Sequence, residues 1–191
     1  DIISYVCRYS TFKGAQKVIV SSDKDFFQLL DSTTILYRPI QKVLLTRNDV
    51  IEQYGIHPNN FALARAIVGD KSDNLGGVPG VGLKTVSKRF AFLKEERDVF
   101  LKEIIEFCDN QESTLKVYKA IVENKKLIKD NYSLMQLYSP SLSIQTRQSV
   151  DWILKEFEFG FNKTDTNIMM MTDGISEINW SSLYEDFNRI Q

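Results

Sequence analysis

The sequence is short of the residues that build the common metal and nucleophile sites. It has one histidine, His57, and two cysteines, Cys7 and Cys108, far apart in the chain. A zinc site needs His and Cys ligands at short, regular intervals, and that spacing is missing. Two reduced, buried thiols in a cytoplasmic protein are expected instead. Long apolar runs are also missing. None approaches the roughly 20 residues that cross a bilayer, so no membrane span is expected. The opening residues from Asp1 lack the form of a signal peptide. Neither sign of charge dominates: 24 Lys and Arg against 25 Asp and Glu leave a net charge of −1. Composition alone therefore does not mark a nucleic-acid binder. What remains is an ordinary globular balance, 43% hydrophobic and 26% charged, in 191 residues. That length is enough for one full core or one and a half small domains.

Apolar spacing predicts a helix within residues 1–13, with Ile2, Ile3, Val6 and Tyr9 on one face, ending before Gly14. Lys17-Val18-Ile19-Val20-Ser21 is β-branched and continuously apolar, which suits a parallel strand buried on both faces. A short helix is expected at 26–30, and two strands at 34–38 and 42–45 in hairpin-like proximity around Pro39. Thr46, with Asp49 three residues on, reads as the N-cap of a helix that reaches Tyr54 and stops at Gly55. Pro58 opens another helix to about Val68. Residues 83–92 read as helix, as do 97–108, 112–127 and 141–158. Residues 162–179 have the least pattern and are expected to include a loop, before an amphipathic helix at 180–190. The chain thus reads as an α/β portion, 1–45, leading into a helical portion, 46–191.

Two pairs of carboxylates stand out. Asp23 and Asp25 follow the apolar strand directly, and the carboxyl ends of parallel strands are where ligands bind. Asp70 and Asp73 follow the helix from Pro58, spaced to share a face if the helical turn continues. Two unit charges 4 Å apart repel by about 4 kcal/mol at an effective dielectric of 20, so a cluster of acids persists mainly where cations neutralise it. Oxygen-only ligands favour Mg²⁺ or Mn²⁺ over Zn²⁺. The bland alternatives are a helix cap for Asp23 and a solvated turn for Asp23-Lys24-Asp25.

Gly76-Gly77-Val78-Pro79-Gly80-Val81-Gly82-Leu83-Lys84-Thr85 is the more specific signal. Glycines allow tight turns and close approach to a phosphate, and a helix opening after Gly82 aims its N–H groups at an anion. Lys84 and Lys88 share a face of that helix, and Lys71 adds a third cation. Contacts of this kind go to the sugar-phosphate backbone and imply binding without sequence specificity. A nucleotide P-loop fits less well, since Leu83 stands where its Lys belongs. An ordinary glycine-capped helix–loop–helix is the structural alternative.

The run from Val18 through Ser21-Ser22-Asp23-Lys24-Asp25-Phe26-Phe27-Gln28 to Leu29 resembles an acidic motif of the 5′-nuclease family, the 5′-3′ exonucleases and flap endonucleases. Val68-Gly69-Asp70-Lys71-Ser72-Asp73-Asn74 and the glycine run after it resemble that family's last acidic motif and its helix–three-turn–helix, here about 58–92. The resemblance covers residues 1–90, fades beyond about 110, and is greatest to phage members of the T-even ribonuclease H type. It implies the C-terminal part of a PIN-like parallel-sheet nuclease core at 1–45, followed by a mostly α-helical domain at 46–191. It implies a monomer in the cytoplasm of a bacterium or of a phage-infected cell. Such an enzyme uses two Mg²⁺ (or Mn²⁺) ions to cleave 5′ flaps or RNA primers in replication or repair. The implied partners are DNA, as 5′-flap, nicked duplex or RNA–DNA hybrid, and a sliding clamp or single-strand-binding protein. By matching positions, Asp23, Asp25 and Asp70 are catalytic, and with Asp73 and Asp1 they are metal ligands. Lys71, Gly77, Gly80, Gly82, Lys84, Thr85 and Lys88 are implied to contact DNA, and the backbone of Val78 and Val81 to hold K⁺. Other family acids and a basic helical arch would precede Asp1, so a truncated chain, inactive or nearly so alone, is expected.

Other residues have plainer expectations. His57 is expected at the surface, and Phe26, Phe27, Trp152, Phe157, Phe159 and Phe161 in the core. Lys116, Lys119, Lys125, Lys126 and Lys129 read as a solvated helix face, with a DNA track as the alternative. Met169-Met170-Met171 suggests no function. Two competing functions stand beside the nuclease: a non-catalytic, sequence-independent duplex-binding module, and a protein-interaction domain with a structural cation.

Overall fold

The computed structural model describes residues 1–9, 12, 14–111, 115–139, 141–156, 162–175 and 178–190. They form two compact units, 1–142 and 143–191. The first begins with the short helix α1 (Ile2–Cys7) and a three-stranded sheet of β1 (Lys17–Val20), β2 (Thr34–Arg38) and β3 (Val43–Leu45), in that order. β1 pairs with β2 in parallel, Lys17 opposite Thr34 through Val20 opposite Tyr37. β2 pairs with β3 antiparallel, Leu36 opposite Leu45, as expected around Pro39. The β1–β2 crossover holds a 3₁₀ helix, Lys24–Leu29, which drops Phe27 and Leu29 into the core.

The expectation that β1 is buried on both faces fails. Ile19 is buried, but Val18 and Val20 are 53% and 65% exposed. β1 is an edge strand here, and among the described residues only the Ile19 face is packed against the core.

Six further α-helices of this unit are among the described residues. α2 (Arg47–Tyr54) starts with the expected capping box, Thr46 and Asp49 bonding reciprocally, and stops at Gly55 with φ 66°. α3 (Pro58–Val68) is the buried centre, with Phe61, Ala62, Leu63, Ala64, Ala66 and Ile67 all inside. α4 (Leu83–Arg89), α5 (Leu101–Asp109), α6 (Lys116–Glu123) and α7 (Lys125–Met135) complete the set. The single helix expected at 112–127 is two, broken at Asn124, whose backbone leaves the helical region at φ −98° and ψ 17°. Phe27, Tyr54 and Phe61 form an aromatic trio with centroids 5.2–5.6 Å apart. Full burial of a side chain such as Phe27 contributes about 1.5–3 kcal/mol. The 45/46 boundary falls inside this unit, because Phe27 and Leu36 of the α/β portion share one apolar cluster with Phe61 and Ile67.

His57 is not at the surface. It is buried, caps α3 by accepting from the Asn59 amide at Nδ1 (3.3 Å), and burial lowers its pKa. Both cysteines are free; burial pushes the Cys108 thiol up to about 11 and raises Cys7 as well.

The second unit consists of α8 (Ile144–Glu156), α9 (Lys163–Thr172) and α10 (Trp180–Ile190). α9 fills most of the segment expected to include a loop, and residues 173–175 and 178–179 after it are non-helical. The signal for α9 was Asn162, whose side chain accepts from the amides of Thr164 and Asp165. Trp152 is 66% exposed rather than core, while Phe157, Phe159 and Phe161 lie outside the described residues. Among the described residues no helix is long and apolar enough to cross a membrane.

The end of α3 fixes the loop that follows it. A Cβ on Gly77 would lie 1.8 Å from the Val68 carbonyl oxygen, whereas one on Gly82 would meet nothing within 4 Å. Gly77→Ala is therefore expected to cost about 1–3 kcal/mol or more, and Gly82→Ala under about 1 kcal/mol. Urea unfolding of the two variants checks this; equal stabilities would refute the close packing.

Candidate functional site

The acids gather at the carboxyl end of β1. After Val20 the chain turns through Ser21 and Ser22, and Asp23 caps the 3₁₀ helix, its Oδ1 accepting from the Asp25 amide at 2.9 Å. This is the capping role weighed for Asp23. Asp25, two residues on, turns toward α3, where Arg65 Nη2 lies 3.3 Å from its Oδ1.

Asp70 and Asp73 arrive differently from expectation. The helical turn does not continue: α3 stops at Val68, and Gly69 adopts φ 78°. Asp70 and Leu75 then exchange two backbone hydrogen bonds of 2.7 and 2.8 Å, closing a tight loop. Asp70 Oδ1 accepts from the amide and hydroxyl of Ser72 at 2.9 and 2.5 Å, and its Oδ2 pairs with Arg65. The loop, not a helix face, brings the pair to the site.

Asp25, Asp70 and Asp73 each offer a carboxylate oxygen, all within 4.8 Å of one another. Asp23 lines a cleft of about 420 Å³ together with Asp70 and Asp73, and with Ser22, Lys24, Arg65 and Ser72. Asp1 is not among the residues of this cleft or cluster; it is exposed and precedes α1.

Arg65 was not anticipated. Its side chain is 13% exposed and is shared between Asp25 and Asp70. The signal was available: it is the one charged residue in Pro58–Val68, an otherwise mostly apolar helix. Its Nε is buried without a partner among the described residues. Burial raises the Asp25 pKa; Arg65 opposes that, and Asp23 and Asp73 add to it. The acids thus sit where a cation is favoured, and Arg65 answers only part of that demand. Three convergent carboxylates with no nitrogen or sulfur donor fit a hard divalent cation.

The glycine turn lies on the far side of the same loop. The Val78 amide bonds the Ile67 carbonyl at 2.8 Å, and buried Asn131 on α7 donates to the carbonyls of Ala66 (3.0 Å) and Gly76 (2.8 Å). Gly80 needs its glycine for φ 74°, and Gly82 precedes α4 with open space around it. Val78 and Val81 bury their side chains, while Lys71, Lys84 and Lys88 are exposed and Thr85 is half-buried.

The chain has counterparts among known proteins. The chain is 38% identical over 97 residues to the 5′-3′ exonuclease of Buchnera aphidicola, 49% of this chain and 34% of that one. It is 36% identical over 85 residues to the 5′-3′ exonuclease of Aquifex aeolicus, 44% of this chain and 29% of that one. Over these stretches this chain is similar to 5′-3′ exonucleases. Thermostable DNA polymerase I of Thermus aquaticus is 36% identical over 88 residues, 46% of this chain and 10% of the polymerase. The chain thus spans about a third of the exonucleases it matches and a tenth of the polymerase. No family model matches it. In fold it is similar to the bacteriophage T5 flap endonuclease solved with DNA and metal ions, at a TM-score of 0.66 and 16% identity. That match covers 81% of this chain and 57% of the phage protein. The T5 5′-exonuclease with bound zinc gives 0.59 and 19%, over 72% of this chain and 49% of that one. The fold it shares with these phage proteins is α/β with a helical part.

Removing Arg65 leaves the clustered carboxylates without their internal cation. Arg65→Gln is expected to lose about 3 kcal/mol in EDTA and to recover part of it when Mg²⁺ is added. The parent chain should gain about 2.7 kcal/mol at a hundredfold excess of Mg²⁺ over its Kd, a gain that Asp70→Asn abolishes. Urea titrations with and without Mg²⁺ check both. Equal stability of parent and Arg65→Gln in EDTA would show that these acids need no cation.

Proposed function

We propose that this chain supplies a metal site and the duplex clamp of a 5′-3′ exonuclease or flap endonuclease, working in replication or repair in a bacterial or phage-infected cytoplasm. The observation that carries the reading is the convergence of Asp25, Asp70 and Asp73 beside a glycine turn that continues the loop of Asp70 and Asp73. A pure binder gains nothing from concentrating negative charge beside a surface meant for phosphate, so the pairing favours hydrolysis over the non-catalytic module.

Asp25, Asp70 and Asp73 would hold Mg²⁺ or Mn²⁺, with Asp23 acting from the cleft wall through water. When bound, such an ion stabilises the charge that builds on the oxygens of a phosphodiester under attack. Asp70 is pre-oriented by Ser72, and Arg65 keeps the acids from splaying apart in the metal-free state. The open glycines at 80 and 82 let a sugar-phosphate backbone approach closely, with Lys71, Lys84, Lys88 and Thr85 around it. Carbonyl oxygens of Val78 and Val81 would take K⁺; that of Val78 already accepts the Val81 amide at 3.1 Å and keeps one lone pair. Asp1 would act with acids outside this sequence. Three clustered carboxylates suit one ion, and two-ion hydrolysis needs ligands for both. Cleavage by the chain alone is therefore slow on this reading, and the choice among flap, nick and RNA primer, like any clamp or single-strand-binding partner, belongs to the whole protein.

Binding of a 5′-flap duplex, titrated with KCl and with LiCl, tests the proposal. Affinity should fall with salt with a log–log slope of about −3 for three lysine–phosphate contacts, and Lys84→Ala with Lys88→Ala should reduce that slope by about 2. Binding should be tighter in K⁺ than in Li⁺. Salt-independent or absent binding sinks the clamp. Robust Mg²⁺-dependent cleavage by this chain, lost in Asp70→Asn, would instead overturn the expectation of slow hydrolysis.

A further inference from the structure

Away from the acidic cleft, α5 and α7 leave between them a groove of about 570 Å³, within the range of built ligand sites. Its floor is Leu101 and Ile105, one turn apart on α5 and only half-buried, while Ile104 and Cys108 of the same helix go into the core. Its rim carries Lys102 from α5 and Lys125, Lys126 and Lys129 from α7, all exposed. Glu106 is the one acid at this rim, and it is paired with Lys102 at 3.4 Å. Four lysines against one glutamate is a local excess of positive charge in a chain whose net charge is −1.

Two features decide what such a groove takes. Both walls are helices, so no strand edge is offered to an extended chain. The floor is apolar, and the lysine stems extend it toward the rim. A nucleic-acid backbone has no apolar group to place there. An amphipathic helix does: residues at i and i+4 stand about 6 Å apart, matching Leu101 and Ile105, and flanking acids reach the rim.

We propose that the α5–α7 groove docks an acidic amphipathic helix of a partner protein, with two apolar residues on Leu101 and Ile105 and carboxylates facing Lys125, Lys126 and Lys129. A fluorescein-labelled peptide with leucine at i and i+4 and glutamates between them is titrated with the full chain and followed by anisotropy. Saturable binding that weakens with salt is expected. Lys125→Glu with Lys129→Glu should weaken it about tenfold, with circular dichroism confirming the fold, since both side chains are exposed. Ile105→Gln, which leaves the charge unchanged, should also weaken it, as should replacing the peptide leucines by glutamine. The proposal is overturned if the peptide does not bind, or if the glutamine peptide binds equally well. It is also overturned if a short DNA duplex displaces the peptide and Ile105→Gln has no effect, which would make this face a phosphate track.

Discussion

Two backbones touch where α3 ends, and the arrangement of the site depends on that contact. The Val68 carbonyl and the Gly69 amide lie where Gly77 would carry a side chain, and a Cβ on Gly69 would in turn strike the Gly77 nitrogen at 2.4 Å. The chain leaves α3, runs out through Asp70 and Asp73, and returns at Gly77 within one short loop. One side of that loop presents carboxylates, and the other leads into the glycine turn and α4. Asn131 reinforces the closure from outside, since its amide holds one carbonyl on each side of the loop. A buried side-chain amide with both donors used in this way also makes the position of α7 part of the site's geometry.

Much of this was legible in the sequence, and what was not has a physical reason. Caps and glycines act locally, so Thr46 with Asp49, Gly55 and Pro58 set their helix ends as read. The acids were found because carboxylates after a β-branched run, and again beside a glycine run, are unusual neighbours. Their geometry was not found: three-residue spacing suggested a helix face, but Gly69 at positive φ ends the helix and an isolated bridge takes over. Arg65 and Asn131 were missed because each acts across the fold, and only tertiary packing reveals a partner that is distant in sequence. The exposed side of β1 shows the converse limit. A continuous apolar run reports what a strand can tolerate on both faces, not what covers it.

Arg65 sets the electrostatic character of the cleft. One guanidinium facing three carboxylates leaves formal negative charge, and burial makes that charge costlier than it would be in water. The direction of the Asp25 shift follows, since desolvation outweighs the arginine beside it. A site so arranged is held together by Arg65 and still carries excess negative charge. Arg65 Nη2 donates to both Asp25 and Asp70, so one side chain ties the two carboxylates together.

A net charge near zero is compatible with nucleic-acid binding once the charges are sorted by place. Acids are concentrated around Asp25, Asp70 and Asp73, and lysines around Lys84 and Lys88 and along the α5–α7 groove. Within a Debye length of about 10 Å at 0.1 M salt, each region acts on a ligand by its own charge rather than by the average. The basic regions then differ by what lies beneath the charge. At the glycine turn, bare backbone and small residues suit close approach of phosphate. At the groove, Leu101 and Ile105 make contact with phosphate alone a poor use of the surface, and it is this difference in floor, not in charge, that separates a nucleic-acid contact from a protein one.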